Sequence, residues 1–123
     1  MREIMNDHSE SAQSTSSSAL AAFLCSLDLQ TMSYPVVRNA RLRLLDSLGC
    51  GLYGAKMPWA AIAARTVLEE GSTGKATLFG ACATAGAARA ALVNGTAMHG
   101  MEIDDAVSAV HPGAVVVSAT LAT

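Results

Sequence analysis

The sequence predicts a mainly α-helical domain with at most one short strand. Three observations point there. Apolar residues recur at three- and four-residue spacing through most of the chain, prolines and glycines punctuate those runs as helix starts and stops, and only one short stretch has β character. At 123 residues the chain has the length of one ordinary domain. Hydrophobic residues make up 51% and charged residues 15%, so polar material is too scarce to cover a surface of this size. Some of the apolar excess is therefore expected to meet further polypeptide.

Residues 1–17 are serine-rich and poor in large apolar side chains, which predicts a disordered tail containing an inert His8. Leu20, Phe23, Leu24 and Leu27 then recur at helical spacing, predicting a short helix from Ser18 to about Asp28. Ser33 can cap a second helix opened by Tyr34 and Pro35, with Val37, Ala40, Leu44, Leu45, Leu48 and Leu52 on one stripe and Arg38, Arg41 and Arg43 largely off it. Its end, LGCGLYGA, holds Gly49, Gly51 and Gly54. Interior glycines cost about 1 kcal/mol each against alanine, which implies close approach of another helix.

Pro58 opens a third helix through Ala61, Ala64 and Leu68, and Gly71 stops it. In GSTGKATLFG, turn glycines bracket Ala76–Phe79, a short run with β character that is either an irregular link or a partner for a strand elsewhere. From Thr84, TAGAARAALVNGTAMHGM returns to helical spacing with small residues, as a tightly packed interior helix would. HPGAVVVSATLAT predicts a last buried helix with Pro112 in its first turn.

Charge and cysteines exclude several function classes. A formal charge of -2 gives no footprint for nucleic acid or an anionic membrane, and the apolar runs fall short of the roughly twenty residues a membrane span needs. No basic n-region or Arg-rich leader opens the chain, so a soluble, cytoplasmic protein is expected. Cys25, Cys50 and Cys82 are odd in number and form no C-x-x-C, which predicts reduced thiols acting as small core residues.

The chemistry concentrates in NGTAMHGMEIDDAVSAVHPG, Asn94 to Gly113, which holds two of the three histidines and three of the ten acidic residues but no lysine or arginine. In one reading Asp104 and Asp105 end a helix in a turn and His111 caps the next. In another the group is a proton-transfer site. His99 and Glu102 share a face if the helix continues, and the acids after them lie in a break where they can turn toward His111. That histidine stands between opposed influences, a helix start that disfavours imidazolium and carboxylates that favour it, which suits a general acid or base. A metal site is a third reading, although the spacing matches none of the compact motifs such as H-E-x-x-H. No nucleophile elbow, phosphate loop or dinucleotide fingerprint is present.

Taken in order, LLDSLGCGLYGA, AALVNGTAMHGMEIDDA and HPGA resemble the amino-terminal part of the MmgE/PrpD family, which includes 2-methylcitrate dehydratase and cis-aconitate decarboxylase. The family wording runs close to L-D-x-L-G-x-x-x-x-G, N-G-x-x-x-H-x-x-D-x-D-D and H-P-x, so three ordered motifs match between Leu44 and Ala114. The resemblance implies that residues 18–123 are the amino-terminal portion of the family's helical domain, incomplete in this chain. It also implies a homodimer or a companion subunit, no metal or organic cofactor, and a small di- or tricarboxylate substrate that is dehydrated, decarboxylated or epimerised. His111 matches the motif histidine of the decarboxylase active site. With it, Asp104 and Asp105 are the expected catalytic set, and Glu102 and His99 the expected substrate-binding residues.

Two positions depart from the family pattern. Glu102 stands where aspartate is more usual, and Ala106 where many members have threonine. The last basic residue is Arg89, so cations to hold a polyanion must come largely from elsewhere. The chain is therefore expected to be a lyase fragment, inactive alone; the alternative is a non-catalytic helical association module or a gene remnant.

Overall fold

The computed structural model describes residues 15–123. His8 and most of the expected tail lie outside the described residues. The chain divides into two units at Tyr34/Pro35. In the first, α1 (Ser16–Cys25) takes in two serines expected in the tail, because Thr15 caps it: the Thr15 hydroxyl oxygen accepts the Ser18 N–H at 3.2 Å. The helix ends three residues before the expected Asp28. Asp28 instead heads a turn, its carboxylate accepting the Gln30 N–H at 2.9 Å. Leu20, Phe23 and Leu24, the stripe that predicted α1, are all exposed.

The second unit is built around α4 (Ala87–His99), which packs against α3 (Pro58–Glu69), α5 (Ser118–Ala122) and the π-helical stretch Gly113–Val117 that leads into α5. Ala90, Val93, Asn94, Ala97 and Met98 are its buried residues, a stripe at helical spacing. Ala60 and Val67 of α3, with half-buried Ala63 and Ala64, complete the facing surface. Ala61 and Leu68, off that face of the helix, are exposed. Glu70 and Gly71 end α3, and Gly71 takes a φ of 71° that only glycine adopts freely.

The second helix, α2 (Tyr34–Gly54), corrects the sequence reading most. Its buried residues are Ser47, Cys50, Gly51 and Gly54, while Leu44, Leu45 and Leu52 of the expected stripe are exposed. The reason lies at Gly54. A Cβ there would overlap the Ala97 carbonyl of α4, so the two backbones touch where only hydrogen fits. The helix turns its small residues inward and leaves its leucines outward, except half-buried Leu48.

Among the described residues two short strands are present, not one. β1 (Ala76–Thr77) pairs antiparallel with β2 (Thr84–Ala85), Ala76 opposite Ala85 and Thr77 opposite Thr84. The helical reading from Thr84 hid the second, because α4 starts only at Ala87. Asn94 fastens the hairpin to α4: its amide donates to the Thr77 carbonyl at 2.9 Å and its oxygen accepts the Phe79 N–H at 2.8 Å. Leu78 is thereby carried into a core with Val67, Ala85, Ala90, Val93 and Ala122. Each of its larger side chains contributes about 1.5–3 kcal/mol on burial.

The last segment starts as a π-helix, with Pro112 as its cap and Val115 and Val116 exposed. Hydroxyls take up carbonyls there, Ser118 donating to Ala114 and Thr120 to Val116, so side chains compete with the regular ladder. Among the cysteines only Cys50 is in the core; Cys25 on α1 and Cys82 in the hairpin turn are exposed free thiols. Among the described residues no helix is long and apolar enough to cross a membrane.

Candidate active site

The register of α4 places His99 at its last position, and the helix stops at Gly100, whose N–H goes to the Thr96 carbonyl. A Cβ at Gly100 would overlap the Trp59 indole. His99 and Glu102 therefore do not share a continuing helix. They meet through a turn: Glu102 N–H donates to the His99 carbonyl at 2.8 Å, and Glu102 takes a φ of 55°, in the left-handed region. This brings a Glu102 carboxylate oxygen to 3.3 Å from His99 Nε2.

Asp104 lies at the centre of the group. Its side chain is fully buried, and Oδ1 is 3.2 Å from Nδ1 of His99 and 3.2 Å from Nδ1 of His111. The two rings are 4.3 Å apart at their centroids, tilted by 53°. An ionised carboxylate oxygen only accepts, so in the tautomers that bond an ionised Asp104 each Nδ1 carries the hydrogen. Each ring then has its chemistry at Nε2. That of His99 faces Glu102, while that of His111 is 3.9 Å from the nearest Glu102 oxygen, beyond hydrogen-bond reach. The second Asp104 oxygen makes no hydrogen bond among the described residues.

Asp105 engages different partners. One oxygen accepts the Gly113 N–H at 2.8 Å and the other accepts from Arg43 of α2 at 2.6 Å. Gly113 must be glycine here, since a Cβ would overlap both the Asp105 carboxylate and the Ser47 hydroxyl. Between Asp105 and His111 the chain makes a tight reversal. Val107 and Val110 exchange N–H to O bonds of 2.9 and 3.2 Å around Ser108, whose φ is 57°. This reversal and the Asp105 anchor set where His111 returns to Asp104.

Cys50, also on the inward face of α2, feels the same charges. Burial pushes its thiol up from its ordinary value, and the negative charges of Asp46, Asp104 and Asp105 push it further. It is thus a protonated, small core group and not a nucleophile.

His99 and His111 line an open cleft of about 390 Å³ with Val110, Pro112, Ala114 and Val115. It contains no lysine or arginine. Among the described residues three hollows are larger: those of about 510 and 540 Å³, along α3 and beside the hairpin, have no histidine in their walls, and one of about 450 Å³ between α4 and the last segment shares His99. Volume is a poor guide here, and the chemistry sits by the smaller cleft. Nothing in the spacing pointed to Arg43, which is 62 residues from its partner, or to buried Ser47 beneath the site, whereas Cys50 is buried as expected.

Of the five residues expected from the sequence, four form one cluster and Asp105 braces it from beside. A cis-aconitate decarboxylase-like protein, oryM, of Aspergillus oryzae is 31% identical over 115 residues, which is 89% of this chain but 24% of that protein. The chain thus spans about a quarter of the length of this curated relative. No solved structure matches it. The MmgE/PrpD N-terminal domain matches residues 18–123, every described helix but the first two residues of α1 included, and the chain belongs to the MmgE/PrpD family.

Proposed function

We propose that this chain supplies one wall of the active site of a lyase acting on small di- or tricarboxylic acids, with His111 as the acid-base group. The observation that carries the reading is the buried Asp104 oxygen shared by two imidazoles beside an open cleft. A carboxylate in that position holds a ring in one tautomer and one orientation, which is what proton transfer at the opposite nitrogen requires. In a dehydration neutral Nε2 of His111 would take a proton from a carbon beside a substrate carboxylate. The C–H electron pair would form the C=C bond as the β C–O bond breaks, and the proton would pass to the departing hydroxyl, which leaves as water. In a decarboxylation its protonated form would quench the electron pair left on carbon as CO2 departs.

His99 and Glu102 would orient substrate at the mouth, and Asp105 would position the His111 segment through Gly113. A polyanion needs cations, and the cleft has none of its own. Remaining family sequence, in the same or a companion polypeptide, would supply them and cover the exposed Leu44, Leu45 and Leu52 of α2. No metal or organic cofactor is needed for these steps.

The test joins residues 18–123 to the remaining three-quarters of the Aspergillus oryzae relative and assays cis-aconitate and 2-methylcitrate. The hybrid should turn one of them over, and His111→Ala should lower the rate by on the order of 10²–10⁴ without changing assembly. The chain by itself should convert neither. Full turnover in the His111→Ala hybrid would remove His111 from the mechanism. The exposed leucines of α2 favour a second reading, a non-catalytic association module, and that reading predicts assembly without turnover in every hybrid.

A further inference from the structure

The same two imidazoles present a feature that proton transfer does not use. One ligand-type atom each from His99, Glu102 and His111 lies within 4.8 Å of the other two. Glu102 is reached from both rings, at 3.3 Å from His99 Nε2 and 3.9 Å from His111 Nε2. We propose that these three side chains form a binding site for a borderline divalent cation of the Zn2+ or Co2+ type. The site would act as a brake on the proposed reaction and not as a cofactor for it.

Three independent features support a cation. The first is the orientation of the rings: both Nδ1 atoms are held by the fully buried Asp104, which leaves both Nε2 lone pairs on the outer side. A carboxylate behind a metal-binding imidazole is the arrangement that fixes its tautomer and raises its basicity as a ligand. Here one carboxylate serves two imidazoles. The second is the backbone at Glu102, whose left-handed φ of 55° costs free energy in a residue other than glycine and turns the carboxylate back to the rings. The third is charge: the carboxylates of Glu102 and Asp104 balance a dication, and His99 closes the C-terminal, partly negative end of α4.

Two imidazole nitrogens and a carboxylate oxygen suit Zn2+ or Co2+ better than Mg2+ or Ca2+, which prefer oxygen alone. Three protein ligands leave a fourth position open to the cleft. The spacing conceals the site in the sequence, since His99 and His111 lie twelve positions apart on different elements. Nε2 of His111 cannot hold a metal and exchange a proton at once, so this inference rests on the proposed role of His111 only for the consequence, not for binding.

The test is titration of the full, untagged chain with Co2+, read by the visible absorption of the bound ion and by displacement with Zn2+. One equivalent should bind and give the intense spectrum of a four-coordinate site. Glu102 is 72% exposed, so Glu102→Ala leaves packing intact and should weaken binding at least about tenfold. His111→Gln should abolish the spectrum, with circular dichroism confirming that the helices remain. Asp104→Asn should weaken binding by on the order of 10–100-fold. Failure of the wild type to bind, or binding unchanged in Glu102→Ala and His111→Gln, would overturn the site. Because the readout is binding, either result stands apart from whether a hybrid enzyme turns over an acid.

Discussion

Asp104 and Asp105 are adjacent in sequence and serve opposite sides of the molecule's chemistry. Asp105 uses both oxygens on its scaffold, one on the Gly113 N–H and one on Arg43. Asp104 uses one oxygen on two rings and leaves the other without a hydrogen bond among the described residues. The difference teaches which carboxylate belongs to the fold and which to the site. A group satisfied on every side stabilises, whereas one buried and incompletely satisfied is a cost that function explains more readily than stability does.

That contrast can be broken from either side, and the largest effect should come from the scaffold. Gly113→Ala forces a Cβ into the Asp105 carboxylate and Ser47 hydroxyl, and urea denaturation should show a loss of about 3 kcal/mol. Asp105→Ala removes a charge-assisted bond to a backbone N–H and should cost about 2 kcal/mol. Most of that belongs to Gly113, because the Arg43 side chain is 58% exposed and its ion pair is worth under about 1 kcal/mol.

Asp104→Asn sharpens the comparison, since it should leave stability within about 1 kcal/mol while lowering turnover of the hybrid enzyme at least about tenfold. If Asp104→Asn instead cost as much stability as Asp105→Ala with activity intact, the assignment of roles would be reversed.

The smallest effect lies beneath both carboxylates, at Cys50. Its thiol is raised above the ordinary 9.0 by burial first and by Asp46, Asp104 and Asp105 next. A raised thiol favours the neutral form in the folded state, so its contribution is whole below pH 9.0 and is lost as pH climbs through the higher folded value. Wild type should therefore lose stability between neutral and strongly alkaline pH faster than Cys50→Ala, as thermal melts across that range would show.

Much of this was legible in the residues. Helix starts at Pro35 and Pro58, the stop at Gly71, and the turn of the acids toward His111 follow from local spacing and turn chemistry. His99, by contrast, meets Glu102 through a left-handed turn and not along the continuing helix the spacing suggested. What the spacing hid depends on partners distant in sequence. The leucine stripe of α2 pointed to a buried face, yet Gly54 and Ala97 decide which face goes in, because backbones in contact exclude side chains of any size. Thr84 and Ala85 read as the lead-in to a helix until β1 is available to pair with them. Asp105 looked like a twin of Asp104, and only Arg43, 62 residues away, separates them.

One Asp104 oxygen holds two Nδ1–H groups in the proposed site, and nitrogen NMR of the chain labelled at its histidines reads that directly. His99 and His111 should both show a protonated Nδ1, with the signals shifted in Asp104→Asn and unchanged in Asp105→Asn. Bare Nδ1 nitrogens on either ring, or a spectrum indifferent to Asp104→Asn, would contradict it.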